Sequence, residues 1–210
     1  DDLYAAAANV SDLGATIAGG NTSFKLWAPT AQKVSVFTYD TALGNAVTVD
    51  DMVFSPSTGV WSATKTGDLS GKYFRYSVEV FTRGVGVVRN LVTDPYSLSL
   101  STDSKRSYIA NLNAANLKPA GWDALALPAK VAAATDMSIY ELHVRDFSAN
   151  DASVSAANRG KYLAFSEANS NGMKHLKALA DAGLTDVHLL PVFDMASVQE
   201  GGCNAAQPSP

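Results

Sequence analysis

Between residues 23 and 112 the chain alternates short apolar or β-branched runs with turn residues. The clearest of these runs are 34–39, 46–49, 59–63 and 73–81. This rhythm predicts an antiparallel β-sandwich. In 73–81 the alternate positions Phe74, Tyr76, Val78 and Val80 are all apolar. We therefore expect that face of the strand to be buried.

A different pattern follows residue 136. Residues 139–146 alternate apolar positions with Glu141, His143 and Arg145, which predicts a strand with one polar face. Residues 171–183 then have helical periodicity, and 185–190 form a second apolar strand that ends at Pro191. This order predicts a parallel βαβ unit, and such a unit normally belongs to a larger sheet. We expect the strands that complete the sheet to lie outside these residues.

The helix and the polar strand face carry more detailed predictions. Ser170 or Asn171 is expected near the N-cap of the helix and Gly183 at its C′ position. The helix face toward the sheet is predicted to contain Met173, Leu176, Leu179 and Ala180. Glu141 and Arg145 are expected to pair, because a buried charge needs a partner.

The remaining segments connect or flank these elements. Residues 112–130 have no sustained period and predict an irregular linker in which Trp122 packs as an anchor. Residues 201–210 hold little that can be buried and predict a disordered or cleaved loop. The predicted organisation is listed in chain order: a lead-in at 1–21, the sandwich at 22–130, the βαβ unit at 136–198 and a terminal loop at 199–210.

Composition and charge exclude several classes of function. The net charge is −4 and Lys and Arg form no dense cluster, which argues against a nucleic-acid partner. No apolar run reaches the roughly 20 residues that a membrane span needs. Cys203 is the single cysteine, so neither an internal disulfide nor a cysteine-based zinc site can form. No histidine has neighbouring ligands at metal-binding spacing, and no metal site or cofactor is identified.

Several motifs resemble those of one enzyme family. Residues 140–148 (YELHVRDFS), 159–162 (RGKY) and 187–194 (VHLLPVFD) are similar to the opening of the catalytic barrel in bacterial pullulanases and plant limit dextrinases. Residues 24–31 (FKLWAPTA) and 93–97 (TDPYS) resemble the module that precedes that barrel. These enzymes are α-1,6-debranching members of the α-amylase superfamily, in glycoside hydrolase family 13.

The resemblance implies a fold and an activity. The expected fold is an immunoglobulin-like β-sandwich of the starch- or glycogen-binding type, followed by the first βαβ unit of a (β/α)8 TIM barrel. The expected activity of the intact enzyme is hydrolysis, with retention, of α-1,6 bonds in pullulan, amylopectin or limit dextrins.

The resemblance also implies what this chain lacks. The family's catalytic carboxylates fall beyond Pro210, so no catalytic residue is expected here and the chain alone is expected to be inactive. Its implied partners are an α-glucan and the rest of the barrel, expected as a separate polypeptide from the same precursor. A secreted or cell-surface bacterial location is expected, and a calcium site in the intact enzyme stays open.

Two alternatives remain at this stage. Isoamylases and glycogen-branching enzymes also place a sandwich before the barrel, but they typically lack the Arg-Asp-Phe-Ser run of 145–148. A non-catalytic glycogen- or starch-binding module would explain the missing carboxylates but leaves the βαβ unit without a purpose.

Two residues are candidate substrate contacts. Asp194 follows the second strand, on the side that carries activity in barrels, and either caps a loop or contacts substrate. Trp61 follows a turn at Gly59 and either packs in the core or stacks on a sugar. Trp27 is expected in the core beside Phe24 and Leu26. His143 and His188 are expected to be hydrogen-bonded structural residues.

Overall fold

The computed structural model describes residues 2–128, 130–193 and 200, which divide into two compact units between Trp122 and Asp123. The first unit is an antiparallel sandwich, as predicted. Its strands are β1 Gly14–Ala18, β2 Asn21–Trp27, β3 Ala31–Tyr39, β4 Thr48–Asp51, β5 Val53–Ser55, β6 Val60–Thr66, β7 Tyr73–Thr82, β8 Gly86–Val92 and β9 Ser107–Tyr108. One sheet has the order β1-β2-β6-β5, and the other has the order β4-β3-β7-β8 with β9 on β7.

The core lies between the two sheets. Its buried residues lie at inward-facing strand positions or in adjoining loops. They are Phe24, Leu26, Val34, Val36, Met52, Trp61, Phe74, Tyr76 and Ile109. The ring centroids of Phe24 and Phe74 are 5.1 Å apart, and those of Phe74 and Tyr76 are 5.5 Å apart. The predicted inner face of β7 is confirmed at Phe74 and Tyr76, and Val78 packs against the core.

Asp94 is a buried carboxyl beside this core. The residue is only 4% exposed; its Oδ1 accepts a hydrogen bond from the Tyr96 N–H at 2.9 Å, and its own N–H donates to Ser107 Oγ at 2.8 Å. Burial raises the pKa of the Asp94 carboxyl, while the Tyr96 N–H and the Tyr76 hydroxyl partly offset this effect. Burial and the negative charge of Asp94 raise the pKa of the Tyr76 phenol well above its usual value.

The second unit contains two parallel strands with a helix between them in sequence. β10 is Ile139–Leu142, α1 is Val144–Ser148, α2 is Asn171–Asp181 and β11 is Asp186–Leu189. β10 pairs with β11 in parallel, from Ile139 opposite Asp186 to Leu142 opposite Leu189. Short 3₁₀ helices occur in both units, at Asp2–Asn9, Thr102–Ser104, Ala115–Leu117, Trp122–Ala124, Ala134–Asp136 and Tyr162–Ser166.

The first of these parallel strands is shorter than predicted. The expected strand at 139–146 ends at Leu142, and α1 begins two residues later. The cause is local: His143 is the N-cap of α1, and its Nδ1 accepts a hydrogen bond from the Asp146 N–H at 3.3 Å. Capping of this kind ends the strand in favour of a helix. Arg145 therefore lies on a helix rather than on the polar face of a strand.

The ends of α2 follow the prediction. The Ser170 side chain accepts a hydrogen bond from the Met173 N–H, which makes Ser170 the N-cap. At the other end the N–H groups of Gly183 and Leu184 donate to Ala180 and Leu179, at 3.1 and 2.9 Å. This pattern is a Schellman motif, and Gly183 adopts the φ of +107° that the C′ position requires.

Other predictions on side-chain placement had mixed outcomes. Met173, Leu176 and Leu179 are partly buried as expected, whereas Ala180 is exposed. Trp122 is 57% exposed, so the packing expected of an anchor is not seen among the described residues. The predicted loop at 199–210 lies outside the described residues, apart from Glu200.

The buried Asp94 predicts a pH dependence of stability. In the unfolded chain this carboxyl ionises at about pH 3.9, but in the fold it holds its proton to a higher pH. The folded state thus binds more protons than the unfolded state in this window, so the contribution of Asp94 to the unfolding free energy falls as the pH rises. Asp94→Asn keeps the Oδ1 acceptor and removes the titration.

The test is chemical denaturation of both proteins between pH 4 and 7, read by tryptophan fluorescence. We expect the unfolding free energy of Asp94→Asn, relative to that of the unmodified protein, to increase with pH. Other carboxylates titrate equally in both proteins and cancel in the difference. A difference that stays constant across this pH range would show that Asp94 does not hold its proton in the fold.

Candidate functional site

The outer face of one sandwich sheet carries an exposed tryptophan. Trp27, at the end of β2, is 47% exposed, and its Nε1–H donates to the Thr58 carbonyl at 3.0 Å. The expectation that Trp27 belongs to the core is wrong. Side chains alternate along a strand, so Trp27 lies on the face opposite Phe24 and Leu26.

Trp61 has the reverse placement. It is 8% exposed, its Nε1–H donates to the Ala28 carbonyl at 3.0 Å, and its ring lies 5.0 Å from that of Phe54. The register pairs Trp61 with Leu26, which places both side chains on the inner face. Of the two placements expected for Trp61, the structure therefore has the core one. The ring is buried, so Trp61 is no longer a candidate sugar contact.

Polar groups occupy the same outer face as Trp27. Lys25, two positions earlier on β2, forms an ion pair with Asp12 at 2.6 Å. Ser23 and Thr64 share a hydrogen bond at 3.1 Å across the β2–β6 pair. An aromatic ring with hydroxyl and ammonium groups beside it is suited to a neutral sugar, whose C–H face stacks while its hydroxyls form hydrogen bonds.

A second candidate site lies at the carboxyl ends of β10 and β11. A groove of about 250 Å³ is lined by His143 and Arg145 at the start of α1, by Gly160 and Tyr162 from the following loop, and by residues 190–193 after β11. Tyr162 and Phe193 are highly exposed, at 61% and 85%. The Tyr162 hydroxyl donates to the Val192 carbonyl at 3.4 Å and so connects the two walls of the groove.

The charged residues near this groove do not pair as expected. Glu141 binds His188 rather than Arg145, with its Oε2 3.1 Å from Nδ1 of the histidine. The paired register places both side chains on one face of the two-stranded sheet. Arg145 Nη1 instead lies 3.6 Å from Asp146 Oδ1. The prediction of a hydrogen bond is confirmed for His143, which accepts from the Asp146 N–H. For His188 the prediction stays open, because its contact with Glu141 is an ion-pair contact.

The loop between α1 and α2 is held by buried hydroxyls and two carboxylates. Ser148 Oγ, fully buried, accepts from the Gly160 N–H at 2.9 Å. Glu167 accepts hydrogen bonds from Ser155 and Asn158, and these bonds hold its pKa below the usual value.

Asp151 has a similar role at the start of α2. It accepts from Ser153, Asn171 and the Gly172 N–H, and its pKa is likewise lowered, chiefly by Ser153. Phe147 stacks on Phe165 at 4.8 Å beside these bonds. These hydrogen bonds and the aromatic stack therefore hold the loop that carries Tyr162.

Asp194, the other candidate contact, lies outside the described residues and stays a prediction.

The placement of two other site residues was not predicted from the sequence. Tyr162 was recognised only as part of the RGKY motif, and its place in the groove depends on contacts with residues after β11. Trp27 lies an odd number of residues after Phe24, so strand alternation alone would have predicted that the two side chains lie on opposite faces.

Two further findings concern the described residues alone. No group of three or more His, Cys, Asp or Glu side chains among them is arranged to hold a metal ion. None of their helices combines the length and apolarity that crossing a membrane requires.

Comparison with known proteins identifies the sandwich. Residues 12–97 match the profile of carbohydrate-binding module 48, described as the isoamylase N-terminal domain. These residues form a carbohydrate-binding module 48 domain. The match ends before β9 and does not include the second unit.

The module 48 domain and the second unit together match pullulanases. The chain is 44% identical over 204 residues to a pullulanase of Klebsiella pneumoniae, and 43% identical over 190 residues to the chloroplastic pullulanase 1 of Arabidopsis thaliana. The crystal structure of Klebsiella pneumoniae pullulanase complexed with maltotriose superposes with a TM-score of 0.88 at 42% identity, covering 95% of this chain.

These matches confirm the resemblance to pullulanases. They cover 95% and 90% of this chain in the bacterial and plant relatives, but only 19% and 20% of those proteins. The chain covers 19% of the crystallised pullulanase. It thus spans about a fifth of the length of the relatives that it matches.

Proposed function

We propose that this chain is part of an α-1,6-debranching glycoside hydrolase of the pullulanase type. The observation that carries the proposal is the extent of the similarity. A match over 95% of the chain includes both compact units, not the module 48 domain alone. A sugar-binding module that acts by itself would not require the second unit.

In this proposal the second unit begins a (β/α)8 barrel. Its strands are parallel and α2 lies between them in sequence, as in the repeating unit of that fold. Ile139, Val187 and Leu189 remain substantially exposed, although strands of such barrels are normally covered. β1 Gly14–Ala18 belongs to the sandwich although it precedes the expected start at residue 22. The other boundaries, at 130 and at 136–198, stay predictions, and the rest of the barrel is the proposed partner of this unit.

The proposed chemistry is hydrolysis with retention. One carboxylate attacks the anomeric carbon, a second carboxylic acid protonates the leaving oxygen, and water then resolves the glycosyl intermediate. By the resemblance, both groups belong to residues beyond Pro210. The residues described here would contribute substrate binding and support of the barrel, in the intact enzyme.

The module 48 domain is proposed to bind α-glucan through the face that carries Trp27. The exposed ring is fixed by its bond to Thr58 and is accompanied by Lys25 on the same strand. The complex of a related pullulanase with maltotriose supports an α-glucan as the ligand class. A secreted or cell-surface location in a bacterium is also part of the proposal.

The proposed reaction is tested on the protein that contains this chain. We expect it to release reducing ends from pullulan and none from unbranched amylose, because only pullulan contains α-1,6 bonds. Proton NMR of the first product should show the α-anomer, as retention requires. Cleavage of amylose with no action on pullulan would contradict the debranching assignment.

The proposed sugar face is tested by one substitution. Trp27→Ala should weaken retention by soluble amylopectin in affinity electrophoresis by roughly five- to tenfold, the value of about one stacked ring. The same substitution should barely change the unfolding midpoint, because the side chain lies outside the core.

The control is a buried tryptophan. Trp61→Phe removes an indole of the core without touching the outer face, so it should lower stability and leave the mobility shift in amylopectin unchanged. An unchanged shift in Trp27→Ala would show that this face does not bind the polymer.

A further inference from the structure

The turn that follows β8 is built around the buried carboxyl of Asp94. Residues 93–97 carry the TDPYS motif. Asp94 Oδ1 accepts from the Tyr96 N–H at 2.9 Å, and the Asp94 carbonyl accepts from the Ser97 N–H at 3.1 Å. The first bond forms an Asx-turn and the second closes a β-turn, in which the fixed φ of Pro95 suits the second position. Asp94 therefore holds the whole turn.

Strands from both sheets of the sandwich meet at this carboxyl. The Asp94 N–H donates to Ser107 Oγ on β9 at 2.8 Å, and Tyr76 on β7 directs its buried hydroxyl toward the carboxyl. Gly14 begins β1 with a φ of +95°, and a Cβ at this position would lie 3.3 Å from Asp94 Oδ2. One turn thus contacts β1 of one sheet and β7 and β9 of the other.

Two polar atoms at this point are buried without a well-aligned hydrogen bond to any described residue. They are Asp94 Oδ2 and the Tyr76 hydroxyl. Asp94 also forms no ion pair with a residue that the structure describes. Its neighbours Gly14 on β1 and Ser107 on β9 carry no charge, and Tyr76 is the titratable group that faces it. An ionised carboxylate here is a buried charge without a cation, whereas a protonated carboxyl can share a hydrogen bond with the hydroxyl.

β1 is an edge strand that is attached on one side. It pairs with β2 from Gly14 opposite Lys25 to Ala18 opposite Asn21, and no strand among the described residues pairs with its other side. Segments with few tertiary contacts open at a lower free energy than the centre of a sheet. The contact between Gly14 and the turn therefore fixes the start of a strand that has one other neighbour.

We propose that Asp94, Tyr76, Gly14 and Ser107 form a proton-dependent latch that holds β1 and the 93–97 turn closed. With the carboxyl protonated, the latch is neutral and closed. A rise in pH favours the open form, because the carboxylate is hydrated once the turn separates from β1 and β7. The proposal is independent of the debranching function, and it gives the TDPYS motif a conformational role.

The open and closed states of the latch bind the proton with different affinity. In the open state the carboxyl is hydrated and ionises near its usual pKa of about 3.9. In the closed state burial raises the pKa of Asp94. Between these two pKa values the open state has lost its proton and the closed state keeps it, so each pH unit raises the equilibrium constant for opening by up to about tenfold. The latch is closed below about pH 4 and loosens as the pH rises toward the pKa of the closed state.

Hydrogen exchange of the protein that contains this chain, read by mass spectrometry between pH 4 and 7, tests the latch. After correction for intrinsic exchange, peptides from β1 and from 93–98 should lose protection by up to about tenfold per pH unit. Asp94→Asn should remove this pH dependence, because the amide keeps the Oδ1 acceptor and does not ionise. Tyr76→Phe should lower protection of both segments at pH 4 by roughly two- to tenfold, the value of one hydrogen bond.

Dilute urea separates opening of the latch from unfolding of the whole sandwich. Opening of the latch exposes little surface, so exchange of β1 and 93–98 should be faster than that of β3 and should not respond to urea. Exchange of β3, which lies in the core, should accelerate. If all three segments exchange at one rate with one urea dependence, Asp94 acts through global unfolding and the latch is refuted.

The matched control is Asp68→Asn. Asp68 forms the same kind of turn, with its Oδ1 accepting from the Ser70 N–H at 2.8 Å, but it is exposed. This substitution should leave the exchange of β1 and 93–98 as it is in the unmodified protein at each pH. Protection of these segments that is constant with pH in the unmodified protein, or a pH dependence that persists in Asp94→Asn, would overturn the proposal.

Discussion

The alternation of side chains along paired strands is the constraint on which the rest of the sandwich depends. β2, β6 and β7 each turn one face inward, and the core consists of the apolar positions on those faces. A shift of one residue in register would expose that whole set to water. The same alternation decides which tryptophan a ligand could reach, because it buries Trp61 and leaves Trp27, paired with Val60, on the outside.

Much of the fold could be predicted from local patterns. Alternating apolar positions identified the sandwich strands, and Ser170 and Gly183 identified both ends of α2 because caps and C′ glycines act within a few residues. The end of β10 was missed because alternation continues through Arg145, while the His143 side chain caps a helix instead. The groove could not be predicted, since Tyr162 and Val192 lie far apart in sequence and meet only in the fold.

The two units present two different kinds of surface. The Trp27 face is open and borders polar groups, which suits attachment to an extended polymer. The groove beside Tyr162 is smaller and concave, and it lies at the carboxyl ends of β10 and β11. Both surfaces are fixed by hydrogen bonds from their rings to backbone carbonyls, at Thr58 and Val192.

The central claim is the proposal that α-glucan binds this chain through the exposed Trp27 face of the module 48 domain. A crystal structure of the protein that contains this chain, determined with a branched maltooligosaccharide, tests it most directly. The account predicts a glucosyl ring stacked on Trp27. A complex with oligosaccharide bound elsewhere and with the Trp27 face free of sugar would contradict it.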